Sequence, residues 1–200
     1  MNYCSDCGSR VSLQAVAGDS RQRYVCIDCG KTHYQNPNVL VATYVCVGDA
    51  ILWIKRGTEP AIGKWAMPGG YMENDETPEG SASRELIEET GIDVPAEKML
   101  LVSVSSILHM AQTHLVFRCH LEHRPETTIT DEAIEIGWFK EADLSWEDLA
   151  FPSIEPHVRQ TYRWLKSGNY GIRVGFIDEN GSQYRNFPLA PEKSSAALVN

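Results

Sequence analysis

No stretch of this 200-residue chain stays apolar over the roughly 18 residues that a membrane-crossing helix needs, so no transmembrane span is expected. The opening residues, MNYCSDCGSR, lack the apolar centre of a secretory leader and the character of a transit peptide. A cytoplasmic setting follows as the expectation. Internal repeats and low-complexity tracts are also missing, which argues against a solenoid or a disordered scaffold. Positive charge is in deficit: 18 Lys and Arg face 27 Asp and Glu, giving a net charge of −9. Such a chain repels polyanions, so nonspecific binding to nucleic acid is disfavoured. The deficit is uneven. In residues 1–36, Arg10, Arg21, Arg23 and Lys31 outnumber Asp6, Asp19 and Asp28 by one, which leaves −10 for the remainder. A hydrophobic fraction of 42% is ordinary for a globular protein, and this length holds one moderate domain with a small appendage.

Cysteine is sparse, yet four of the six are spaced as two knuckles, Cys4-x-x-Cys7 and Cys26-x-x-Cys29, 18 residues apart. Gly8 and Gly30 follow the second cysteine of each pair. That is the pattern of a zinc ribbon, four thiolates in tetrahedral array around Zn²⁺. About 35 residues bury too little apolar surface to fold unaided, so the metal would supply stability. Disulfides are the competing explanation and fit poorly with a cytoplasmic chain. Four thiolates leave no open position for catalysis, and the ribbon reads as a structural prop or dimer contact, with a nucleic-acid reader as the alternative. His33 is expected on the surface rather than among the ligands. Cys46 and Cys119 lie in apolar, alternating stretches and read as buried free thiols.

The chemistry is concentrated in Gly70 to Ile92, GYMENDETPEGSASRELIEETGI. Thr77 followed by Pro78 is a helix start, and Gly91 suits a left-handed helix cap. At 100° per residue, Glu85, Glu88 and Glu89 fall on one face, while Ser83, Leu86, Ile87 and Thr90 fall opposite, with the two aliphatics suited to packing on a sheet. Three carboxylates on one face repel each other, and a hard cation such as Mg²⁺ or Mn²⁺ removes that repulsion. Arg84 stands four residues before Glu88 and can orient a carboxylate. Glu76, just before the helix, is its candidate partner. A solvated acidic face is the ordinary explanation of a glutamate run. Here Gly70, Glu76 and Gly91 stand in register with it. With each of the seven fixed letters at about 6%, a chance match in such a chain is on the order of one in a million.

Around this segment, Tyr34 to Asn38 reads as a linker. Val39–Val47 and Ile51–Lys55 read as strands joined by a Gly48-Asp49 turn, and Met99–Leu108, Thr113–Leu121 and Ile134–Phe139 as three more. Glu155–Lys166 has helical spacing through Val158, Tyr162 and Leu165. Residues 169–188 read as short paired strands, and the tail PEKSSAALVN as loose. The expected organisation is a ribbon at 1–36, a main domain at 37–168, and C-terminal strands with a loose tail at 169–200. The expected architecture is an α/β/α sandwich around a mixed sheet.

The Gly70–Ile92 segment carries the complete signature of the Nudix hydrolases. The order of ribbon, YQNP, signature and LAFPSI at Leu149–Ile154 resembles a subfamily typified by plant FAD and ADP-ribose pyrophosphatases. The resemblance covers roughly residues 3–175. It implies a Nudix fold and metal-dependent hydrolysis of a nucleoside diphosphate linked to another moiety. ADP-ribose would give AMP and ribose 5-phosphate; FAD would give AMP and FMN. It also implies that Glu85, Glu88, Glu89 and the Gly69 carbonyl ligate Mg²⁺ or Mn²⁺, that Arg84 positions the carboxylates, and that Glu135, or else Glu132, adds a ligand or general base. Arg56 is a candidate for a terminal phosphate, and His109 and Gln112 for the nucleotide. Trp53, Trp65, Tyr71 and Phe117 are candidates for stacking on a ring. The NADH pyrophosphatase branch, some members of which remove NAD caps from RNA, is the nearest alternative; its SQPWPFPxS-type segment is absent after the signature here. A nucleic-acid-binding regulator with a metabolite-sensing domain is the alternative of another class. Related enzymes are often homodimers, by analogy only.

Overall fold

The computed structural model describes residues 1–189 and divides into two units, one ending at Pro37 and one starting at Asn38. The expected loose tail, 191–200, lies outside the described residues. The first unit is a three-stranded antiparallel sheet of β1 (Val11–Ala15), β2 (Gln22–Cys26) and β3 (Thr32–His33). Its fully buried residues are Cys4, Cys26 and His33, too few apolar groups to form a core.

In the second unit the strands are β4 (Asn38–Val47), β5 (Ala50–Arg56), β6 (Trp65–Ala66), β7 (Leu100–Ile107), β8 (Gln112–His120), β9 (Ala133–Phe139), β10 (Gly171–Asp178) and β11 (Gly181–Pro188). They form one mixed sheet in the order β11-β10-β7-β8-β4-β5-β6, with β9 also on β5. The β4–β8 and β7–β10 pairs are parallel and the others antiparallel. Two helices, α1 (Pro78–Thr90) and α2 (Glu155–Ser167), cover opposite faces. Strand alternation explains this division. Val41 and Val45 of β4, with Leu52 and Ile54 of β5, pack with Ala82 and Leu86 of α1. Their neighbours Tyr44, Cys46, Ile51 and Trp53 pack with Val158, Tyr162 and Trp164 of α2. The expected α/β/α sandwich is the observed one, and Cys46 and Cys119 are buried thiols.

Local chemistry sets the ends of α1 as expected. Thr77 Oγ1 accepts from the Gly80 N–H at 3.1 Å, Pro78 opens the first turn, and Gly91 closes the helix at φ 75°. The division of its faces differs from expectation. The sheet side takes Ser81, Ala82, Leu86, Glu89 and Thr90, while Ile87 is 42% exposed. A helix packed on a sheet buries positions three and four apart, and Ile87 falls outside that arc while Glu89 falls within it.

One gap in the sheet positions the signature. Strands β4 and β5 pair only beside their connecting turn, at Cys46–Ile51 and Val47–Ala50. Beyond that point residues 68–72 take the place of β5 along β4. Thr43 and Val41 donate to the carbonyls of Pro68 (2.9 Å) and Gly70 (2.8 Å), and Met72 donates to Val39 at 3.1 Å.

The strands expected beyond residue 168 form a hairpin that extends the main sheet, β10 pairing with β7 from Arg173–Ser103 to Ile177–Ile107. Tyr184 of β11 stacks on buried His157 of α2 at 6.1 Å, and Arg173 donates to the Pro156 carbonyl at 2.8 Å. Truncation after Gly168 should therefore bare the β7 edge and uncover His157, giving aggregated or non-cooperatively melting protein in size-exclusion chromatography and thermal circular dichroism. A monomeric, cooperatively unfolding 1–168 fragment would contradict this.

Candidate active site and metal centre

Helix α1 presents Arg84 to the segment that runs along β4. Its guanidinium bonds Glu76 through Nε (2.5 Å) and Nη2 (3.1 Å), and Glu85 (2.8 Å) and Glu88 (3.0 Å) through Nη1. Nη2 also donates to the Tyr71 carbonyl at 3.2 Å. The expected Arg84–Glu76 pair is thus present, and one cation serves three carboxylates. It holds Glu76 down to about 2.

Glu89 lies apart from that network. It is 5% exposed and accepts from the Gly69 N–H at 2.7 Å. The neighbouring Pro68 and Gly70 carbonyls are committed to β4, a ladder in which the Gly69 carbonyl takes no part. Gly69 is required to be glycine, and Gly70 leaves room for the Glu85 side chain. A Cβ at Gly69, where φ is 156°, would strike the β4 backbone. One at Gly70 would lie 2.5 Å from the Glu85 carboxylate. Burial pushes Glu89 up to about 8, assisted by the charges of Glu85 and Glu132. Burial likewise raises Glu85, and the charges of Glu88 and Glu132 add to it.

The signature glutamates are therefore not one crowded exposed face. Glu88 is exposed, Glu85 half-buried and Glu89 buried. Among the described residues, only the ribbon cysteines bring three or more ligand atoms within 4.8 Å of one another. Arg84 gathers Glu76, Glu85 and Glu88 around its guanidinium, while Glu89 turns to the Gly69 N–H. The donor set still fits a hard cation: all-oxygen, partly desolvated, and more acidic than its cationic neighbours offset.

The outlying candidates divide. Arg56 is felt electrostatically by Glu89 and is anchored to the Pro60 (2.7 Å) and Glu59 (3.2 Å) carbonyls, which leaves it beside the site. Glu135 lies away from α1. It faces Lys55 across β5–β9 and pairs with it at 2.6 Å, and Lys55 in turn lies over the Trp65 ring of the α2 layer. Strand alternation thus sends Glu135 to the face opposite α1. The neighbouring Glu132, beyond the regular β9 run, is the acid whose charge reaches Glu85 and Glu89. Gln112 is 7% exposed and donates to the Tyr71 hydroxyl at 2.7 Å, while its Oε1 meets His114 Nε2 at 2.8 Å. His109 sits exposed on a 3-10 turn, Leu108–Met110. Of the four ring candidates, Trp53, Phe117 and Trp65 are buried in the two core layers, whereas Tyr71 is 52% exposed.

In the ribbon, the two knuckles repeat one geometry. Gly8 donates to Cys4 O at 3.0 Å and Gly30 to Cys26 O at 3.2 Å, both with positive φ, so each turn folds its cysteine pair to one side. The four Sγ atoms gather within 4.8 Å. Backbone N–H groups of Asp6 and Cys29 point at the Cys4 and Cys26 sulfurs, at 3.4 and 3.5 Å. This fits a four-thiolate metal. His33 is not on the surface: it is 7% exposed, with Nε2 3.3 Å from Cys4 Sγ. Its side chain takes the inward place on β3, next to a ligand rather than replacing one.

Comparison with known proteins agrees with this division. The NUDIX domain family profile matches residues 36–165, and the Nudix N-terminal zinc-ribbon profile matches residues 2–35. The chain belongs to the Nudix family. A NUDIX hydrolase from Nitrosomonas europaea of known structure is 33% identical, with a TM-score of 0.82 over 90% of this chain and 100% of that one. An ADP-ribose pyrophosphatase of Methanocaldococcus jannaschii is 42% identical over 73 residues, 36% of this chain and 43% of that protein. An NAD-capped RNA hydrolase NudC of Stutzerimonas stutzeri is 35% identical over 92 residues, 46% of this chain and 32% of that protein. The matched segments thus span less than half of either curated relative. Among the described residues, no helix is long and apolar enough to cross a membrane.

Glu89 sets the pH response of the metal-free protein. Its folded pKa lies above the ordinary 4.5, so its contribution to stability is complete below about 4.5 and is lost as pH rises to about 8. Melting temperature without divalent cation should fall between pH 5.5 and 8.5, by an amount equivalent to a few kcal/mol at most. Mn²⁺ should restore it more at pH 8.5 than at 5.5, and Glu89→Gln should flatten the slope. Equal slopes in the two proteins would exclude Glu89 as the titrating group. Chelation of the ribbon metal should unfold residues 1–37 first, because that unit has no apolar core. Loss of protection in that segment alone, read by hydrogen exchange, is the expected result.

Proposed function

We propose that the chain is a divalent-cation-dependent diphosphatase that splits nucleoside diphosphates linked to a second moiety, with ADP-ribose or FAD as substrate. The observation that carries this reading is Arg84 bonded to Glu76, Glu85 and Glu88, beside the Gly69–Gly70 segment that receives buried Glu89. In this reading Glu85, Glu88 and Glu89 hold the cation, Mg²⁺ or Mn²⁺, together with the Gly69 carbonyl. The cation supplies charge neutralisation of the diphosphate and acidification of an attacking water. Arg84 keeps Glu85 and Glu88 oriented while offsetting their repulsion. Arg56, fixed by two carbonyls, offers its remaining N–H groups to a phosphate. Glu132 replaces Glu135 as the acid that supplements the set. Zn²⁺ in the ribbon is structural.

A second reading, hydrolysis of NADH or of NAD caps on RNA, has support in the similarity to the Stutzerimonas enzyme. The −10 balance of residues 37–200 opposes a polyanionic partner. A panel of ADP-ribose, FAD, NADH and capped RNA with Mg²⁺ and Mn²⁺, products identified by mass, separates the two. Hydrolysis of ADP-ribose or FAD to AMP should dominate. Glu88→Gln should lower turnover about 100-fold or more with an unchanged melting curve, since Glu88 is exposed. Glu132→Gln should cost at least about tenfold and Glu135→Gln less than about twofold. The reverse order for the last two would restore Glu135.

A further inference from the structure

Strands β5 and β9 lose their common register beside the acidic site. They pair antiparallel from Ile51–Phe139 to Lys55–Glu135, after which the register slips and Arg56 stands opposite Ala133. Ile134 is thus the extra residue of a β-bulge. Ala133 is fully buried in the α1 layer, whereas Ile134 is 45% exposed. Unbroken alternation would do the opposite, because Ile136 packs in that layer and Ile134 would return to it. The slip therefore re-aims the chain that precedes Ile134, Glu132 included.

Gly57 seats the slipped end. Its N–H donates to the Glu132 carbonyl at 2.8 Å, one residue beyond the last paired position, Arg56–Ala133. No side chain fits there: a Cβ on Gly57 would overlap the Asp131 carbonyl oxygen and lie 2.8 Å from Ile134 Cγ2. The nearer obstacle is backbone, which cannot swing aside as a flexible side-chain tip can. The turn that rests on Gly57 is closed from within. The Ala133 N–H donates to Thr130 Oγ1 at 3.0 Å, and the Thr130 N–H donates to the Ala133 carbonyl at 3.1 Å. Glu132 sits in this turn, and its charge reaches both Glu85 and Glu89. Arg56, next to Gly57 in the chain, acts on Glu89 with the opposite sign. One close crossing of two backbones thus spaces both outlying charged groups around the signature.

We propose that Gly57 and Thr130 are positioning residues, which set the distance of the Glu132 carboxylate from the signature glutamates by seating and closing the 130–133 turn. This deepens the diphosphatase reading and rests on it for the role of Glu132. A misplacement of about 1 Å can cost on the order of a hundredfold in rate. Gly57→Ala must push the turn away from β5, which withdraws Glu132 without removing it.

The test is a double-mutant cycle on the full chain loaded with Zn²⁺. It reads kcat for ADP-ribose and FAD, and Mn²⁺ affinity by electron paramagnetic resonance. Gly57→Ala alone should lower kcat about tenfold and weaken Mn²⁺ about threefold. In a Glu132→Gln background the same change should add less than about twofold to either loss, because the group it acts through is gone. Thr130→Val, which loosens the turn without a clash, should show the same dependence on Glu132, and it decides the matter if Gly57→Ala does not fold. Losses that multiply across the two backgrounds would show an effect on the fold at large and overturn the proposal. So would unchanged kcat and Mn²⁺ affinity in folded Gly57→Ala. If the unmodified chain hydrolyses neither nucleotide, the diphosphatase reading fails, and the Mn²⁺ half of the cycle still decides the positioning role.

Discussion

The acidic end of the site depends on one guanidinium. Arg84 spans the start of α1 and binds Glu76 before the helix, Glu85 beside it and Glu88 one turn on. Without it, these carboxylates would repel one another in a partly desolvated place. A lysine could carry the charge but could not reach several acceptors from a planar fork. The same side chain donates to the Tyr71 carbonyl, so the helix and the segment along β4 are fixed by one group. Placement of the site thus follows from two things. The divergence of β4 from β5 admits the diglycine segment to the sheet, and Arg84 locks that segment to the helix.

Glu89 stands outside this network, with the Gly69 N–H as its hydrogen-bond donor and Arg56 acting on it only through charge. A buried carboxylate with one donor prefers to be protonated, which is what its raised pKa expresses. The site is thus left short of positive charge by its own architecture. Arg84 offsets the outer acids, and Glu132 worsens the position of the inner ones. A cation entering here would compete with the proton on Glu89. Binding of a cation there would be coupled to release of a proton.

Much of the fold was legible in the sequence because it is written in short-range chemistry. Thr77-Pro78 and Gly91 mark helix ends by capping, alternation marks β4 and β5, and paired cysteines mark the ribbon. What was not legible depends on which face an element turns to its neighbours. Glu85, Glu88 and Glu89 look equivalent on a helical wheel, yet packing on the sheet buries one and exposes another. Ile87 was expected inside and lies outside for the same reason. Which face Glu135 takes depends on strand parity, which is fixed only once β9 is registered against β5. His33 looked dispensable beside four thiolates, but the β2–β3 pairing turns it inward onto Cys4. Residues 169–188 gave a weak, glycine-broken pattern. Their parallel pairing with β7, some seventy residues earlier, leaves no local trace.

Tyr71 is held through different parts of one residue. Its main chain answers to Arg84 and β4, and its side chain answers to Gln112 and His114 on β8. These supports are chemically independent. The carbonyl bond forms with any residue at that position, whereas the hydroxyl bond requires tyrosine and the buried amide. Changes on β8 can therefore alter the exposed ring without moving the diglycine segment or the glutamates.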